Sequence, residues 1–399
     1  MKLLFVTPRF PYPLLRGDQV VSYHRIRTLG QRHKITLLTF YEHPSELENI
    51  DYISPYCETI HTVRLTKLQS IFNIVKGVLN LQLPLQLSYY QSEEFQYKIN
   101  SILTDNSFDL IHIFLIRVAP YFHHISTPKV LEIIDSMQLN LQRRIALEYL
   151  PKRWIFQEEL RRIIQYEHNL HNFFDHMVVV SEKDRQFIPS KRVKVIPNGI
   201  DTRLFCPVGQ PPLKPTLIFS GNMSYAPNCH AVKWFVKSCL PIIQQTIPEV
   251  SFLIAGANPS REVCSLGQTP GVTVTGFVKS MPTILRQANV AIAPMQSGSG
   301  IQNKILEAMA SGLPVVTTTL GLGSLKATPG KEIMVADSPE DFAKTTITLL
   351  KDTELAGKVG HQAREFVVNK HSWKVAANQI EELYGHILSQ KIEVDSLER

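Results

Sequence analysis

Residues 294–319 read PMQSGSGIQNKILEAMASGLPVVTTT, which predicts a strand, a glycine-rich turn, a helix, a second turn and a strand. The first strand, Val290–Met295, leads into small residues at 297–300 that let backbone amides approach a ligand closely. A helix starting near Ile301 would point its free N–H groups and its positive dipole end at this turn. Such a turn is an anion site by its geometry, and it suits phosphate.

Two charged residues of the same helix extend this hypothesis from phosphate to a nucleotide. Lys304 lies on the first predicted turn, and Glu307 follows three residues later on the same face. One edge of the helix would then offer a cation to a diphosphate and a carboxylate to ribose hydroxyls. Glycine-rich turns before helices are common, however, and a Lys/Glu pair at this spacing is usually a solvated ion pair, so the stretch alone leaves both interpretations open.

The composition indicates a folded, soluble protein that is long enough for two domains. The chain has 399 residues, of which 44% are hydrophobic and 19% are charged. No apolar run reaches the roughly 18 residues of a membrane span, and the run after Met1 is too short for a signal peptide, so we expect a cytoplasmic protein. The five cysteines include no Cys-x-x-Cys pair, which predicts neither a disulfide framework nor a zinc site.

The net charge of +7 is concentrated in one segment. Its basic residues are Arg143, Arg144, Lys152, Arg153, Arg161 and Arg162, interleaved with Trp154, Ile155, Phe156 and Ile163. Such a surface could meet anionic lipid headgroups, or it could be a plain solvated helix face. Residues 66–90 also allow two interpretations: they could receive a lipid-linked acceptor at a membrane, or they could pack as ordinary core. No nucleic-acid module accompanies the basic residues, so nucleic acid is not an expected partner.

The first half of the chain alternates strands and helices. We predict strands at Lys2–Thr7, Ile35–Phe40, Leu110–Phe114, Val130–Ile134, Met177–Ser181 and Val193–Ile196, with helices at 18–30, 66–80, 91–105 and 138–174. This is the pattern of a doubly wound sheet, which binds ligands beyond the carboxyl ends of its strands. Gly17 is therefore a candidate for closing over a phosphate, with Asp18 as the N-cap of the first helix. Asp135, just past a strand, is either a site residue or a helix cap.

The second half repeats the alternation. We predict strands at Thr216–Ser220, Ser251–Ala255, Val272–Thr275, Val290–Pro294, Pro314–Thr318 and Glu332–Val335, and closing helices at 353–370 and 373–389. Gly221 and Asn222 form a second phosphate-type turn after the first of these strands. A Pro-rich segment predicts a linker at 206–215. The predicted domains are therefore 1–205 and 216–370, followed by a C-terminal helix and tail at 371–399.

Four strings narrow the choice among proteins with two Rossmann-like halves: VIPNGID at 195–201, TGF at 275–277, ANV at 288–290 and LEAMASGLPVV at 306–316. Together they closely resemble glycosyltransferase family four, which comprises retaining transferases of the GT-B architecture. The resemblance covers nearly the whole chain. It implies an α/β protein in which an N-terminal acceptor domain and a C-terminal nucleotide-sugar domain face a cleft, with residues 371–399 packing back towards the N-terminal domain. GIQNKILE at 300–307 looks like a subgroup associated with bacterial exopolysaccharide or cell-surface glycan assembly.

The resemblance also implies roles for individual residues. Glu307 would hold the ribose of a nucleotide diphosphate sugar. The diphosphate or donor sugar would lie against Gly221, Asn222, Ser299, Gly300, Ile301, Gln302 and Lys304, and Gly17 would close over it. Lys304 would also stabilise charge on the leaving diphosphate, and Asp135 would contact the acceptor or help its deprotonation. The scheme needs no metal or cofactor, and the acceptor would be a sugar, a lipid-linked molecule or another small molecule.

Three positions depart from the family pattern. Ser299 stands where a glutamate is common, and Asn222 follows Gly221 where arginine and lysine are usual. Phe114 replaces the second histidine of a His-x-His motif, which leaves His112 as an expected packing residue. Two other functions therefore stay open: a sugar-nucleotide epimerase of the same architecture, and a catalytically silent nucleotide-binding homologue acting as a partner subunit.

Overall fold

The structure is a computed structural model, and it describes residues 1–79, 83–134, 136–145, 152–209, 212–297 and 301–397. The chain folds into two compact units. The first unit comprises Met1–Asn198 together with the residues from Ala376 onward, and the second comprises Gly199–Val375. The C-terminal part of the chain, from Ala376, thus belongs with the N-terminal half.

The first unit contains a parallel sheet. Its described strands are β1 (Lys2–Thr7), β2 (Lys34–Tyr41), β3 (Thr59–Arg64), β4 (Leu110–Phe114), β5 (Lys129–Ile134), β6 (His176–Val179) and β7 (Val193–Val195). Their order is β3-β2-β1-β4-β5-β6-β7, the doubly wound order in which the chain reverses beside β1. Both faces of the sheet are covered, so β1, β4 and β5 read as nearly continuous apolar, buried runs.

Helices cover the first sheet. They are α1 (Gly17–Leu29), α2 (Lys67–Leu79), α3 (Leu85–Ser88), α4 (Glu93–Asp105), α5 (Met137–Ile145), α6 (Lys152–Asn169) and α7 (Glu182–Arg185).

The second unit repeats the architecture with a second parallel sheet. Its described strands are β8 (Thr216–Ser220), β9 (Ser251–Ala255), β10 (Val272–Gly276), β11 (Val290–Ala293), β12 (Val315–Thr317) and β13 (Met334–Val335). They run in the order β10-β9-β8-β11-β12-β13, which is again doubly wound.

The remaining helices, in chain order, are α8 (Ala226–Trp234), α9 (Leu240–Thr246), α10 (Arg261–Ser265), α11 (Met281–Leu285), α12 (Asn303–Ala310), α13 (Thr319–Leu322), α14 (Pro339–Lys351), α15 (Thr353–Lys370) and α16 (Trp373–Leu397). A short π-helix, Phe235–Cys239, joins α8 to α9. Within the described ranges, no helix is both long enough and apolar enough to cross a membrane.

The division between the units falls at Asn198, before the predicted domain end at 205 and the predicted linker at 206–215. Interactions after Gly199 explain this position. Ile200 forms a β-bridge with Ser372, and the side chain of Arg364 donates a hydrogen bond to the carbonyl of Phe205 at 3.0 Å. Because these partners belong to the second unit, they hold the segment after Asn198 to it.

Local predictions at the start of the chain need one correction and one addition. Helix α1 ends before Gly30 as expected, but its N-cap is Arg16, and Asp18 is a helical residue whose carboxylate pairs with Arg9. Because the helix starts one residue before Asp18, this carboxylate lies within the first turn, where it also accepts a hydrogen bond from the Gln19 amide. Strand β3 was not predicted, since its sequence TIHTVR is polar and only one of its residues is buried.

The basic segment does not form one continuous face. Arg162 is buried and donates hydrogen bonds to Glu158 and to the carbonyl of Gly77, whereas Arg161 pairs with Glu158 on the surface. Ile163 belongs to the core of the first unit. Helix packing has thus separated residues that are close in sequence, and the exposed basic residues of α6 are mainly at its start.

Candidate functional site

Two glycines, one after β8 and one after β9, pack closely against each other at the carboxyl ends of these strands. The Gly221 amide donates a hydrogen bond to the carbonyl of Ala255 at 3.0 Å. A Cβ on Gly256 would lie 1.8 Å from the carbonyl oxygen of Gly221, so no side chain fits at Gly256. A Cβ on Gly221, where φ is +154°, would lie 2.7 Å from the side-chain nitrogen of Asn228. The turn predicted at Gly221 is therefore closely packed at this edge of the sheet.

Lys304 lies on the first turn of α12, as predicted. The helix begins at Asn303, slightly after the expected start near Ile301, because Gln302 is extended, with φ −86° and ψ 108°, and occupies the N-cap position. The Lys304 ammonium donates hydrogen bonds to Asn228 Oδ1 at 2.7 Å and Gln302 Oε1 at 3.1 Å. It also lies 5.1 Å from the ring centroid of Phe219. The cation is thus held in place by neutral groups.

Burial shifts the pKa values of both charged residues of this candidate site. Burial lowers the pKa of Lys304 to about 8, although the nearby Glu307 carboxylate opposes this shift. Burial likewise raises the pKa of Glu307 to about 7, against the opposing effect of Lys304. Among the residues that the structure describes, none donates a hydrogen bond to the Glu307 carboxylate. A half-buried cation beside a half-buried carboxyl group, both with pKa values shifted by burial, is typical of functional sites.

The structure brings several of the predicted donor residues together through one side chain. Asn228 accepts the hydrogen bond from Lys304 and donates one to the carbonyl of Asn222 at 2.8 Å. It therefore joins the turn at Gly221 and Asn222 to the start of α12. The Asn222 side chain itself accepts hydrogen bonds from the amide and the hydroxyl of Ser224.

Of the other predicted site residues, those that the structure describes make none of these contacts, and the rest lie outside the described residues. Ile301 is half-buried and packs on the core of the second unit. Gly17 is the exposed first residue of α1 in the first unit, with open space where a Cβ would be. Asp135, Ser299 and Gly300 lie outside the described residues, so their assigned roles stay predictions.

Sequence reasoning missed Asn228 as a site residue. It is buried on the first turn of α8, directly after the turn at Gly221. The available signal was its position, since a polar residue on the first turn of a helix that follows a sheet edge faces the same edge as the turn. Asn228 supplies a neutral oxygen beside Lys304, which leaves the lysine charge available.

In the first unit, His112 is a packing residue, as expected. It is fully buried, stacks on Phe5 with ring centroids 4.5 Å apart, and bonds to Tyr384 at 2.6 Å and to Glu132 at 3.0 Å. Arg25 closes this buried network with a salt bridge to Glu132 at 2.9 Å. The hydrogen bonds occupy both ring nitrogens of His112. Among the described residues, no group of three or more His, Cys, Asp or Glu could hold a metal ion.

The fold of the whole chain matches solved structures of known proteins. The Anabaena protein HepE, solved in complex with UDP, superposes with a TM-score of 0.64 at 15% sequence identity, over 97% of this chain and all of that one. Sucrose-phosphate synthase from Thermosynechococcus elongatus gives a TM-score of 0.62 at 16% identity, over 98% of this chain and 99% of that one. With two doubly wound parallel units in one chain, the protein has the GT-B fold of glycosyltransferases.

The sequence of the second unit matches a glycosyltransferase family. Residues 214–352 match the model of the family "Glycosyl transferases group 1". A Klebsiella pneumoniae protein, "Uncharacterized 44.6 kDa protein in cps region", is 20% identical over 95% of this chain and 98% of its own length. The phosphatidyl-myo-inositol mannosyltransferase of Mycolicibacterium smegmatis is 26% identical over 50% of this chain and 53% of its own length. Residues 214–352 are therefore similar in sequence to the group 1 glycosyltransferases, and the resemblance found in the motifs is confirmed.

Proposed function

We propose that the protein transfers a sugar from a nucleotide diphosphate sugar to an acceptor hydroxyl, with retention at the anomeric carbon. The proposal rests above all on Lys304, which is half-buried, held by Asn228 and Gln302, and one turn away from Glu307. A diphosphate would satisfy the lysine charge, and ribose hydroxyls would donate to the Glu307 carboxylate. Phosphate and ribose are adjacent in a nucleotide, so one ligand fits both groups.

The relatives support the nature of the substrates. HepE was solved with UDP and, in another structure, with UDP-glucose, so a protein of the same fold binds a nucleotide sugar. The Klebsiella relative comes from a cps region, and the Mycolicibacterium relative is named as a phosphatidyl-myo-inositol mannosyltransferase. We infer by analogy that this protein acts in the assembly of a bacterial cell-surface glycan, exopolysaccharide or glycolipid, on the cytoplasmic side of the membrane.

The proposed reaction breaks the bond between the anomeric carbon and the diphosphate oxygen and forms a bond from the acceptor oxygen to the same face of that carbon. The leaving diphosphate accepts the proton of the acceptor hydroxyl, so the reaction needs no protein nucleophile. Negative charge grows on the diphosphate as its bond breaks. Lys304 and the amides at the start of α12 would therefore stabilise the transition state more than the ground state.

The other predicted site residues also have roles within this proposal. Ser299, Gly300 and Ile301 would contribute backbone amides or polar contacts to the donor, and Gly17 would close over its diphosphate. Asp135 would contact the acceptor or assist its deprotonation. No cofactor beyond the donor substrate is part of the scheme.

A thermal-shift screen of UDP, GDP, ADP, TDP and CMP tests the donor site first, because a ligand that binds only the folded state raises the melting temperature. We expect one nucleoside diphosphate to stabilise the protein. The corresponding nucleotide sugars, incubated with a panel of acceptors, then test transfer, and NMR of the product reports its anomeric configuration. Failure of every nucleotide to stabilise the protein would contradict the donor site.

The same assay separates the two other functions. Formation of a different nucleotide sugar in the absence of any acceptor would identify an epimerase. Tight nucleotide binding without turnover on the whole acceptor panel would instead indicate a silent partner subunit.

A further inference from the structure

Helix α2 (Lys67–Leu79) presents its large apolar side chains to solvent. Leu68, Ile71, Phe72, Val75 and Val78 recur at helical spacing, so they share one face, and they are 53–81% exposed. We call these five residues the apolar face of α2. Residues 66–90 had two possible roles in the sequence, and packing as ordinary core is wrong for these five.

The opposite side of α2 explains this orientation. Ser70 and Gly77, which are small, are buried. A Cβ at Gly77 would lie 2.6 Å from the hydroxyl oxygen of Ser88, so the helix can lie this close only with glycine there. The carbonyl of Gly77 accepts a hydrogen bond from the buried Arg162 at 2.9 Å, and Asn73 donates one to the carbonyl of Gln91 at 2.7 Å. Polar contacts on its small face therefore fix α2 with the apolar face outward.

Cations border the apolar face. Lys67 and Lys76 are exposed, and the helical wheel places them on opposite edges of it. The Lys76 ammonium lies 4.5 Å from the ring centroid of Phe72. The sequence of α2, KLQSIFNIVKGVL, contains no Asp or Glu. An apolar stripe with basic edges and no acidic residue is typical of a helix that lies in the plane of a membrane interface.

The start of α6 adds a second feature of the same kind to this part of the first unit. Trp154 and Ile155 are 70% and 57% exposed, and they directly follow the exposed Lys152 and Arg153. Helix α6 is tied to the end of α2 by the hydrogen bond from Arg162 to Gly77. Tryptophan beside basic residues is the combination found at the level of lipid headgroups.

We propose that the apolar face of α2 inserts into the surface of a membrane that contains anionic lipid, with Lys67 and Lys76 contacting headgroup phosphates. This partner goes beyond sugar transfer and does not depend on it. Apolar side chains supply hydrophobic binding energy, and the basic edges make the binding depend on lipid charge. A second copy of the chain fits less well, because pairing two such helices would bring lysines together without a carboxylate from α2 to neutralise them.

Flotation of the purified full chain with lipid vesicles tests the proposal. One set of vesicles contains phosphatidylcholine alone, and the other contains equal amounts of phosphatidylcholine and phosphatidylglycerol. We expect binding to the anionic vesicles and much less to the neutral ones, with salt weakening it. The double variant Phe72→Ser/Val75→Ser should bind at least about tenfold more weakly, because two exposed apolar side chains no longer insert. The double variant Lys67→Gln/Lys76→Gln should lose the preference for anionic lipid.

Leu204→Ser is the matched control, since it removes an exposed large apolar side chain from the second unit. Its binding should equal that of the parent. Both serine variants replace exposed residues, and unchanged circular dichroism would verify that they fold. Unchanged nucleotide-induced stabilisation in the Phe72→Ser/Val75→Ser variant would separate a failure of membrane binding from a failure of the donor site.

Three results would overturn the proposal. The first is the absence of binding to either vesicle, and the second is equal binding by the parent and the Phe72→Ser/Val75→Ser variant. The third is a dimer, detected by light scattering, that this variant converts to a monomer while vesicles stay unbound. In that case a second copy would cover the apolar face.

Discussion

Lys304 and Glu307 lie one turn apart in α12, and burial moves their pKa values towards each other, to about 8 and about 7. Each residue is costly to hold in its charged form without a ligand. A bound nucleotide would recover that cost, because its diphosphate pairs with the cation and its hydroxyls donate to the carboxylate. The two residues whose burial disfavours their charged forms are therefore those proposed to bind the donor.

Replacing Glu307 should raise the stability of the folded protein at alkaline pH while weakening its affinity for nucleotide. The folded protein holds the Glu307 proton with a pKa of about 7, above the ordinary value of 4.5. This raised pKa favours folding fully below pH 4.5, and the contribution is lost as the pH rises through 7. We predict that Glu307→Gln is more stable than the parent at pH 8, by on the order of 1 kcal/mol, and flattens the dependence of stability on pH between 4.5 and 7. Thermal unfolding across this range measures both effects.

The same substitution should weaken binding of the nucleotide found in the screen by about tenfold or more, because the neutral amide is a weaker acceptor for the ribose hydroxyls. Glu354→Gln, on the exposed first turn of α15, is the control and should change neither property. A Glu307→Gln variant that binds nucleotide as the parent does would exclude the ribose contact.

Lys304 should set an alkaline limit to nucleotide binding. With a pKa of about 8, the ammonium loses its proton as the pH rises above that value, whereas an ordinary lysine stays charged to about 10.5. Affinity for a nucleoside diphosphate should therefore fall between pH 8 and 10, as measured by calorimetry. Lys304→Met should bind weakly throughout and show no such fall, and Lys351→Met, an exposed residue of the second unit, should retain it. An alkaline fall that persists in Lys304→Met would assign it to another group.

At the scale of elements, helices α8 and α12 meet through Asn228. Its oxygen faces the Lys304 ammonium at 2.7 Å, and its amide holds the turn at Asn222. Asn228→Asp would place a carboxylate against the lysine. The ion pair should raise the pKa of Lys304 and move the alkaline limit of binding upward, yet weaken diphosphate affinity because the lysine charge is already neutralised. Calorimetry against pH detects both changes. Weaker binding with an unmoved alkaline limit would mean that Asn228 acts only through the turn.

The helices and strands also show which structural features can be predicted from the sequence alone. The strand bounds of both sheets follow from short, nearly continuous apolar runs, which is why β1, β4, β8 and β9 match their predictions. The spacing of apolar residues along a helix does not reveal, however, which side of the helix faces the sheet. In α2 the apolar period was visible, but the close approach at Gly77 and the contact from Arg162 turn its apolar face outward, and both depend on partners distant in sequence.

Some residues of the candidate site were likewise predicted from the sequence, and others were not. Lys304 and Glu307 were predictable because a helix start and its first turn are local features. The position of Asn228 on the first turn of α8 could indicate only that it faces this sheet edge, whereas its contact with Lys304 depends on a residue 76 positions later in the chain. The network at His112 likewise depends on Tyr384, which is far away in the chain.

At the scale of the whole molecule, the chain returns to its first unit through α16. Tyr384 of this helix bonds to His112, which bonds to Glu132, which in turn pairs with Arg25 of α1. Four buried polar side chains thus connect the C-terminal helix, two central strands and α1. Helix α16 begins at Trp373 in the second unit, and its residues from Ala376 onward belong to the first unit. The network therefore binds this later part of the helix to the first sheet.

Arg25→Met should be strongly destabilising, because it leaves the Glu132 carboxylate buried without its cation, a change that costs about 3–5 kcal/mol in other proteins. Burial by itself raises the pKa of Glu132, but Arg25 and His112 together lower it to about 2, below the ordinary 4.5. This lowered pKa contributes stability above pH 4.5 that is lost as the pH falls towards 2. The parent should therefore lose stability to acid across this range, and Arg25→Met should lose much less from its lower starting value.

Tyr384→Phe is the matched change, because it removes one hydrogen bond from the same network and leaves the salt bridge in place. It should cost only about 1 kcal/mol and keep the acid dependence of the parent. Urea unfolding followed by circular dichroism from pH 7 to pH 3 compares the three proteins. If Arg25→Met and Tyr384→Phe were equally destabilising at neutral pH, the charge pair would not be what holds α1 to the central strands, and packing around His112 would have to do so.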